Sequence, residues 1–75
     1  MPAIEVKVIK NVFSKQQKQM IISKLTDALI DVIGVDTPEV RGVTTCLIQE
    51  IEEGNWGIGG RELTAASVHD LIKKK

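Results

Sequence analysis

The chain has 75 residues, of which 43% are apolar, and its ten basic and ten acidic side chains give a formal net charge of +0. A balanced charge removes the electrostatic argument for nucleic acid as a partner, and no apolar run approaches the ~18 residues of a membrane span. With one cysteine, Cys46, and one histidine, His69, neither a disulfide framework nor a zinc cluster can be built within the chain.

A chain of this size is expected to form one domain over residues 1–75 and to bury only about 60% of the surface that its unfolded form exposes. Disulfides, metals and oligomerisation are the usual ways to stabilise so small a domain. Since the first two are excluded, we expect self-association. No signal peptide is recognisable before the first strand, so the sequence predicts a soluble, cytoplasmic protein.

The first residue of interest is Pro2, which follows the initiator Met1. If Met1 is removed, as is usual before a small residue, Pro2 carries a terminal secondary amine whose direction is restricted by its ring. An α-amino group titrates near pH ~8, and an apolar pocket would lower that pKa by disfavouring the charged form. Pro2 is therefore a candidate general base near neutral pH, although proline is also tolerated simply as the first residue of a strand.

The first strand and the first helix follow. Ile4, Val6 and Val8 alternate with charged residues, which predicts a strand over about residues 3–9 with one buried face. Ser14 then begins a helix, because its spacing to Gln17 is that of a capping box.

The helix is predicted to end at Gly34 and to bury one face. That face comprises Ile21, Leu25, Ala28, Leu29, Val32 and Ile33. Met20 and Ile30 lie outside this stripe, so the helix has more apolar surface than one small sheet would cover. This excess again favours a partner subunit.

The next segment predicts one helical turn and a second strand. Asp36-Thr37-Pro38-Glu39 resembles a helix cap with proline at the first helical position. Residues 43–51 are apolar and β-branched, as expected of a strand buried on both faces. A strand, a long helix and a strand form a β-α-β unit, whose strands should be parallel with a right-handed crossover.

The remaining residues predict turns and a short helix. Glu52-Glu53-Gly54-Asn55 is a turn, and Gly57-Ile58-Gly59-Gly60 is a tight turn or hairpin. The latter lacks the lysine and the strand-to-helix context of a phosphate-binding loop, so phosphate binding is not expected. Residues 63–72 predict a terminal helix, and the tail Lys73-Lys74-Lys75 suits its carboxyl end.

The amino-terminal Met-Pro, the strand-helix-strand order and Gly54-Asn55-Trp56-Gly57-Ile58-Gly59-Gly60 together resemble the 4-oxalocrotonate tautomerase family over about residues 2–62. The resemblance implies an α+β subunit with a parallel two-stranded core and a C-terminal hairpin or short helix. Two subunits would share a four-stranded sheet, and three such dimers commonly form a hexamer. It also implies keto-enol tautomerisation of small oxo acids by the terminal proline, without a metal or cofactor.

Site residues follow from the resemblance one at a time. Pro2 matches the catalytic proline, and Trp56 falls where a pocket aromatic lies, although it could equally be a core or interface residue. Two arginines that bind the substrate in the best-studied members are not matched, because Phe13 and Thr45 occupy their positions. Thr45 could donate one hydrogen bond to a substrate, but a hydroxyl cannot neutralise a carboxylate.

Two other arginines could supply the missing cation. Arg41 precedes the second strand and Arg61 follows the glycine turn, and a guanidinium can grip a carboxylate through two hydrogen bonds. Arg61 is preferred because the turn can direct it toward a neighbouring subunit, although either could be a solvated surface group. Cys46 is expected to be an inert core residue, and His69 has no evident partner.

The sequence thus predicts a cofactor-independent tautomerase that acts on a small 2-oxo or unsaturated oxo acid, with Pro2 as base. Because one cation can hold one carboxylate, monoacids should be handled better than diacids. One alternative is a related proline-based hydratase, decarboxylase or dehalogenase that uses a charged Pro2 as acid. Another is an oligomerisation module without activity.

Overall fold

The computed structural model describes residues 2–73. In chain order the elements are β1 (Ala3–Ile9), α1 (Lys15–Ile33), α2 (Pro38–Val43), β2 (Thr45–Ile51), β3 (Gly57–Ile58), β4 (Arg61–Glu62) and α3 (Ala65–Lys73). β1 and β2 form a parallel two-stranded sheet, and β3 and β4 form a separate antiparallel hairpin. The predicted β-α-β unit, hairpin and terminal helix are confirmed. Lys74 and Lys75 lie outside the described residues.

Both predicted ends of α1 are confirmed by their hydrogen bonds. The Ser14 hydroxyl accepts from the backbone N–H of Gln17 at 3.1 Å, and the Ser14 N–H donates to Gln17 Oε1 at 2.8 Å. Gly34 ends the helix with a φ of 84°, a left-handed conformation that glycine adopts without a steric penalty. Local signals were sufficient here because each cap uses groups only a few residues apart.

The buried face of α1 differs from the predicted stripe. Ile30 is 3% exposed and lies in the core, whereas Val32 is 83% exposed and Ala28 is also exposed. The partly or fully buried positions beyond the first turn are Ile21, Ile22, Leu25, Thr26, Leu29 and Ile30. The prediction was correct for Ile21, Leu25 and Leu29, which are partly buried. Beside them, the structure buries Ile30 and leaves Val32 exposed. An apolar pattern shows that a stripe exists, and only packing shows which of two apolar flanks is covered.

β2 begins two residues later than predicted, because α2 continues through Val43. The hydroxyl of Thr37 accepts from the N–H of Val40 at 3.2 Å, and Pro38 lies in the first turn, where its missing N–H costs nothing. The cap therefore supports six helical residues rather than a single turn.

The two faces of β2 are covered unequally. Cys46 and Ile48 are partly buried on the side where Lys18 of α1 pairs with Glu50 at 3.2 Å. On the other side Leu47 is 53% exposed. The prediction that β2 is buried on both faces is therefore wrong for the isolated chain, since one helix covers only one side of the sheet.

The hydrophobic core is small, and its buried residues are Val8, Ile9, Val12, Ile30 and Ala65. Three of them, Ile9, Val12 and Ala65, form a cluster at the carboxyl end of β1, against which Phe13, Trp56, Leu63 and Val68 pack. The radius of gyration is 15.2 Å, against about 11 Å for a compact domain of this length. The chain is elongated and leaves many large apolar side chains exposed.

Polar contacts attach α3 to the loop between β1 and α1. Glu53 accepts from the N–H of Ala65, the first residue of α3, at 2.7 Å, and from the side-chain amide of Asn11 at 3.4 Å. His69 Nε2 lies 3.1 Å from the carbonyl oxygen of Asn11. His69 therefore has a partner, contrary to the sequence interpretation, because its contact spans 58 positions of the chain.

Candidate active site

Pro2 lies at the amino end of the two-stranded sheet and is half-buried. Its carbonyl oxygen accepts a hydrogen bond from the N–H of Thr45 at 3.1 Å. The pairing of Ala3 with Thr45 continues this contact into the parallel ladder. Thr45, which stands at one of the expected arginine positions, is therefore joined to Pro2 through its backbone.

Arg41 lies on α2, just before the start of β2, and its guanidinium is already paired. Its Nε and Nη2 donate to the two carboxylate oxygens of Asp36 at 2.7 and 3.1 Å, and its Nη1 lies 2.9 Å from Asp27 Oδ1. The hydrogen bond from Arg41 lowers the pKa of Asp36, and the bonds to Asp36 and Asp27 raise the pKa of Arg41. Both shifts favour the charged forms of Asp36 and Arg41.

Arg61 is placed differently. It is exposed at the start of β4, and within residues 2–73 it forms no ion pair. It pairs with Ile58 across the hairpin, and the intervening Gly59 and Gly60 have φ of 59° and 81°. Two successive positive φ values are typical of the tight type I′ turn. The glycines thus shape a turn from which a free guanidinium projects.

Trp56 and Phe13 are both in the core cluster at the carboxyl end of β1. Pro2 is at the other end of this strand, and seven residues at ~3.3 Å each separate the two ends by about 20 Å. Within one chain the structure therefore brings Thr45 to Pro2, and it does not bring Trp56 to Pro2.

Cys46 is half-buried near the amino end of β2, opposite Ile4. Among the side chains of residues 2–73, no group of three or more His, Cys, Asp or Glu is arranged to hold a metal ion. No helix in this part of the chain is long and apolar enough to cross a membrane.

The described residues combine a parallel β-α-β unit, Pro2 at the amino end of its sheet and a glycine hairpin after its second strand. Residues 2–66 match the family described as tautomerase enzyme. The chain is 33% identical over 64 residues to probable tautomerase K2 of Dickeya dadantii (strain 3937), covering 85% of this chain and 90% of that protein. It is 36% identical over 47 residues to 2-hydroxymuconate tautomerase of Comamonas testosteroni, covering 63% of this chain and 68% of that protein.

The structural likeness agrees with these sequence matches. A solved structure of a 4-oxalocrotonate tautomerase isozyme from Methylibium petroleiphilum superposes with a TM-score of 0.69 at 25% identity, covering 89% of this chain and 97% of that one. This chain belongs to the tautomerase family and is an isomerase of the 4-oxalocrotonate tautomerase type.

Proposed function

We propose that the protein catalyses keto-enol tautomerisation of a small 2-oxo acid with the secondary amine of Pro2 as general base, once Met1 is removed. Met1 itself lies outside the described residues. The observation that carries the proposal is the position of Pro2 at the open amino end of the sheet, where its carbonyl oxygen is held by the N–H of Thr45. The ring and this hydrogen bond together restrict the direction of the amine.

The chemistry requires only a proton shuttle. The neutral amine takes a proton from the carbon beside the carbonyl, so that a C–H bond breaks and an N–H bond forms. The electron pair of the C–H bond becomes the enol double bond, and negative charge develops on the carbonyl oxygen. The protonated amine then returns the proton to the oxygen, or to another carbon of a conjugated substrate, and is restored as a base.

The site is completed by a second copy of the chain. Because Pro2 and the cluster that contains Trp56 lie at opposite ends of β1, which is about 20 Å long, one chain cannot place both around a small substrate. Pairing two copies across a two-fold axis, with their β1 strands antiparallel, sets the amino end of one strand beside the carboxyl end of the other. Trp56 of one copy would then face Pro2 of the other, and the hairpin would carry Arg61 toward the same pocket.

The exposed apolar surface supports this self-association, for which a hexamer is the assembly we propose. Met20, Val32 and Leu47 are each more than half exposed on a chain with few buried residues. One chain has a mass of 8.2 kDa. Light scattering at micromolar concentration should give the mass of an assembly of six chains. A monomeric mass would remove the basis for a shared site.

For the substrate, we propose that Arg61 grips its single carboxylate. Arg41 is held by two acidic side chains, whereas Arg61 is exposed and forms no ion pair in the described part of the chain. The hydroxyl of Thr45 could add one hydrogen bond to the substrate.

A cytoplasmic location of the protein also remains a prediction.

The test of this function is the pH dependence of turnover. Enolisation of phenylpyruvate can be followed by ultraviolet absorbance, and the rate should rise with pH through the pKa of the Pro2 amine, because only the neutral amine accepts a proton. A rate that instead falls through this ionisation would favour the hydratase, decarboxylase or dehalogenase alternatives, in which a charged Pro2 acts as acid. Absence of turnover with every oxo acid would favour the inactive oligomerisation module.

A further inference from the structure

We propose that Arg41 is a positioning residue, which fixes Pro2 through α2 and Thr45 and does not bind the substrate. The inference builds on the proposed role of Pro2 as base. It differs from the sequence interpretation, in which Arg41 was a candidate for the substrate carboxylate.

The guanidinium of Arg41 lies in a network of acidic side chains. Arg41 on α2 contacts Asp27 on α1 and Asp36 in the segment between the two helices, through contacts of 2.7, 2.9 and 3.1 Å. Isolated surface ion pairs contribute little to stability, but a bidentate arginine within a network is the exception. The network therefore joins the carboxyl-terminal half of α1 to α2.

The position of α2 depends on this network. The helix has six residues, and helices of that length do not persist in water without tertiary contacts. None of its residues is fully buried, so its apolar contacts hold it only weakly. The ion pairs of Arg41 are then a principal restraint on where α2 lies.

Hydrogen bonds connect α2 to Pro2. The Thr44 N–H donates to the carbonyl of Arg41 at 3.2 Å, and its hydroxyl donates to the carbonyl of Val40 at 2.8 Å. The next residue, Thr45, donates its N–H to the carbonyl of Pro2 at 3.1 Å. A continuous series of short contacts thus connects the guanidinium to the residue that carries the proposed base.

The same geometry argues against a binding role. The Nε, Nη1 and Nη2 atoms of Arg41 are all engaged by Asp27 and Asp36. A substrate carboxylate would have to displace one of these acids and would remain close to the other, whose charge repels it. Since the pKa of Asp36 is lowered by Arg41, that repulsion persists throughout the neutral pH range.

The experiment compares Arg41→Gln and Asp36→Asn with the control Asp31→Asn. Asp31 lines the same cavity as Asp27 and Asp36 but forms no ion pair among residues 2–73. The probes are phenylpyruvate and its methyl ester, which has the same skeleton without the negative charge. First, native turnover on both probes should be lost when the amino terminus is blocked, which tests the proposed function separately.

If Arg41 positions Pro2, Arg41→Gln and Asp36→Asn both lower kcat on both probes, while KM changes by less than about twofold. A displacement of about 1 Å can cost on the order of 100-fold in rate, so we expect a loss of tenfold or more. Asp31→Asn should match the native protein. A higher KM for the acid alone in Arg41→Gln, or native kcat in Asp36→Asn, would overturn the proposal in favour of a binding role or of no role.

A second measurement does not depend on activity. Hydrogen exchange at the Thr45 amide should quicken in Arg41→Gln and Asp36→Asn, because its bond to Pro2 opens more often. Exchange should be unchanged in Asp31→Asn. Native protection of this amide in both network variants would contradict the proposed connection, even if the protein showed no turnover.

Discussion

Adding one residue ahead of Pro2 abolishes enolisation, if the terminal amine is the proton shuttle. The addition converts the amine into an amide nitrogen, which has no basicity, and removal of a general base typically costs about 10²- to 10⁴-fold in rate. Pro2→Ala keeps a terminal amine, but the amine is primary and turns more freely, so only a remnant of activity should survive. The measurement is kcat/KM for phenylpyruvate after mass spectrometry has established each amino terminus.

The control is the same added residue placed after Lys75, at the other end of the chain. This variant has an identical composition and a free Pro2, so it should keep native turnover. Both proteins should also have the native assembly mass, which separates loss of the base from loss of the oligomer. Native turnover in the protein with the blocked amino terminus would end the proline mechanism.

Replacing Arg61 with alanine should lower kcat/KM for phenylpyruvate by about 10- to 100-fold, because a hydrogen bond to a charged group such as the substrate carboxylate contributes about 1.5–3 kcal/mol. The native protein should prefer this monoacid to a dicarboxylate of similar length, because one guanidinium holds one carboxylate. For the methyl ester, kcat/KM should fall much less in Arg61→Ala, since the ester has no negative charge for Arg61 to neutralise. Steady-state kinetics with the three substrates measure these differences.

Arg61→Lys is the matched variant, because it keeps the charge and loses the two-pronged geometry. Its kcat/KM for phenylpyruvate should lie between the values of the native protein and of Arg61→Ala. A strong native preference for the diacid, or full activity of Arg61→Ala on both acids, would show that other residues form the binding site. Neither result would affect the role of Pro2, which the blocked amino terminus tests independently.

Local signals predicted most of the elements. The spacing of Ser14 and Gln17 and the stop at Gly34 placed both ends of α1. The paired glycines before Arg61 predicted a tight turn, and the structure shows two successive positive φ values there. Each of these features is decided by groups within a few residues of one another, so the sequence contains the information directly.

The burial of α1 could be predicted only in part. The helical period predicts an apolar stripe that contains Ile21, Leu25 and Leu29. Apolar residues flank this stripe on both sides, so the pattern does not show which flank is buried. The position of the sheet selects the flank with Ile30, and Val32 is left exposed. That choice depends on where β1 and β2 lie, which no local pattern records.

By itself the sequence determined the order of strands and helices, the caps, the glycine turn and the proline at the amino end of β1, because short-range sterics and hydrogen bonds settle these features. Tertiary structure alone decided that Arg41 pairs with Asp27 and Asp36, and that His69 contacts Asn11. It also placed Trp56 at the far end of β1 from Pro2. These contacts join groups distant in the chain, and such groups meet only after the sheet and helices have packed.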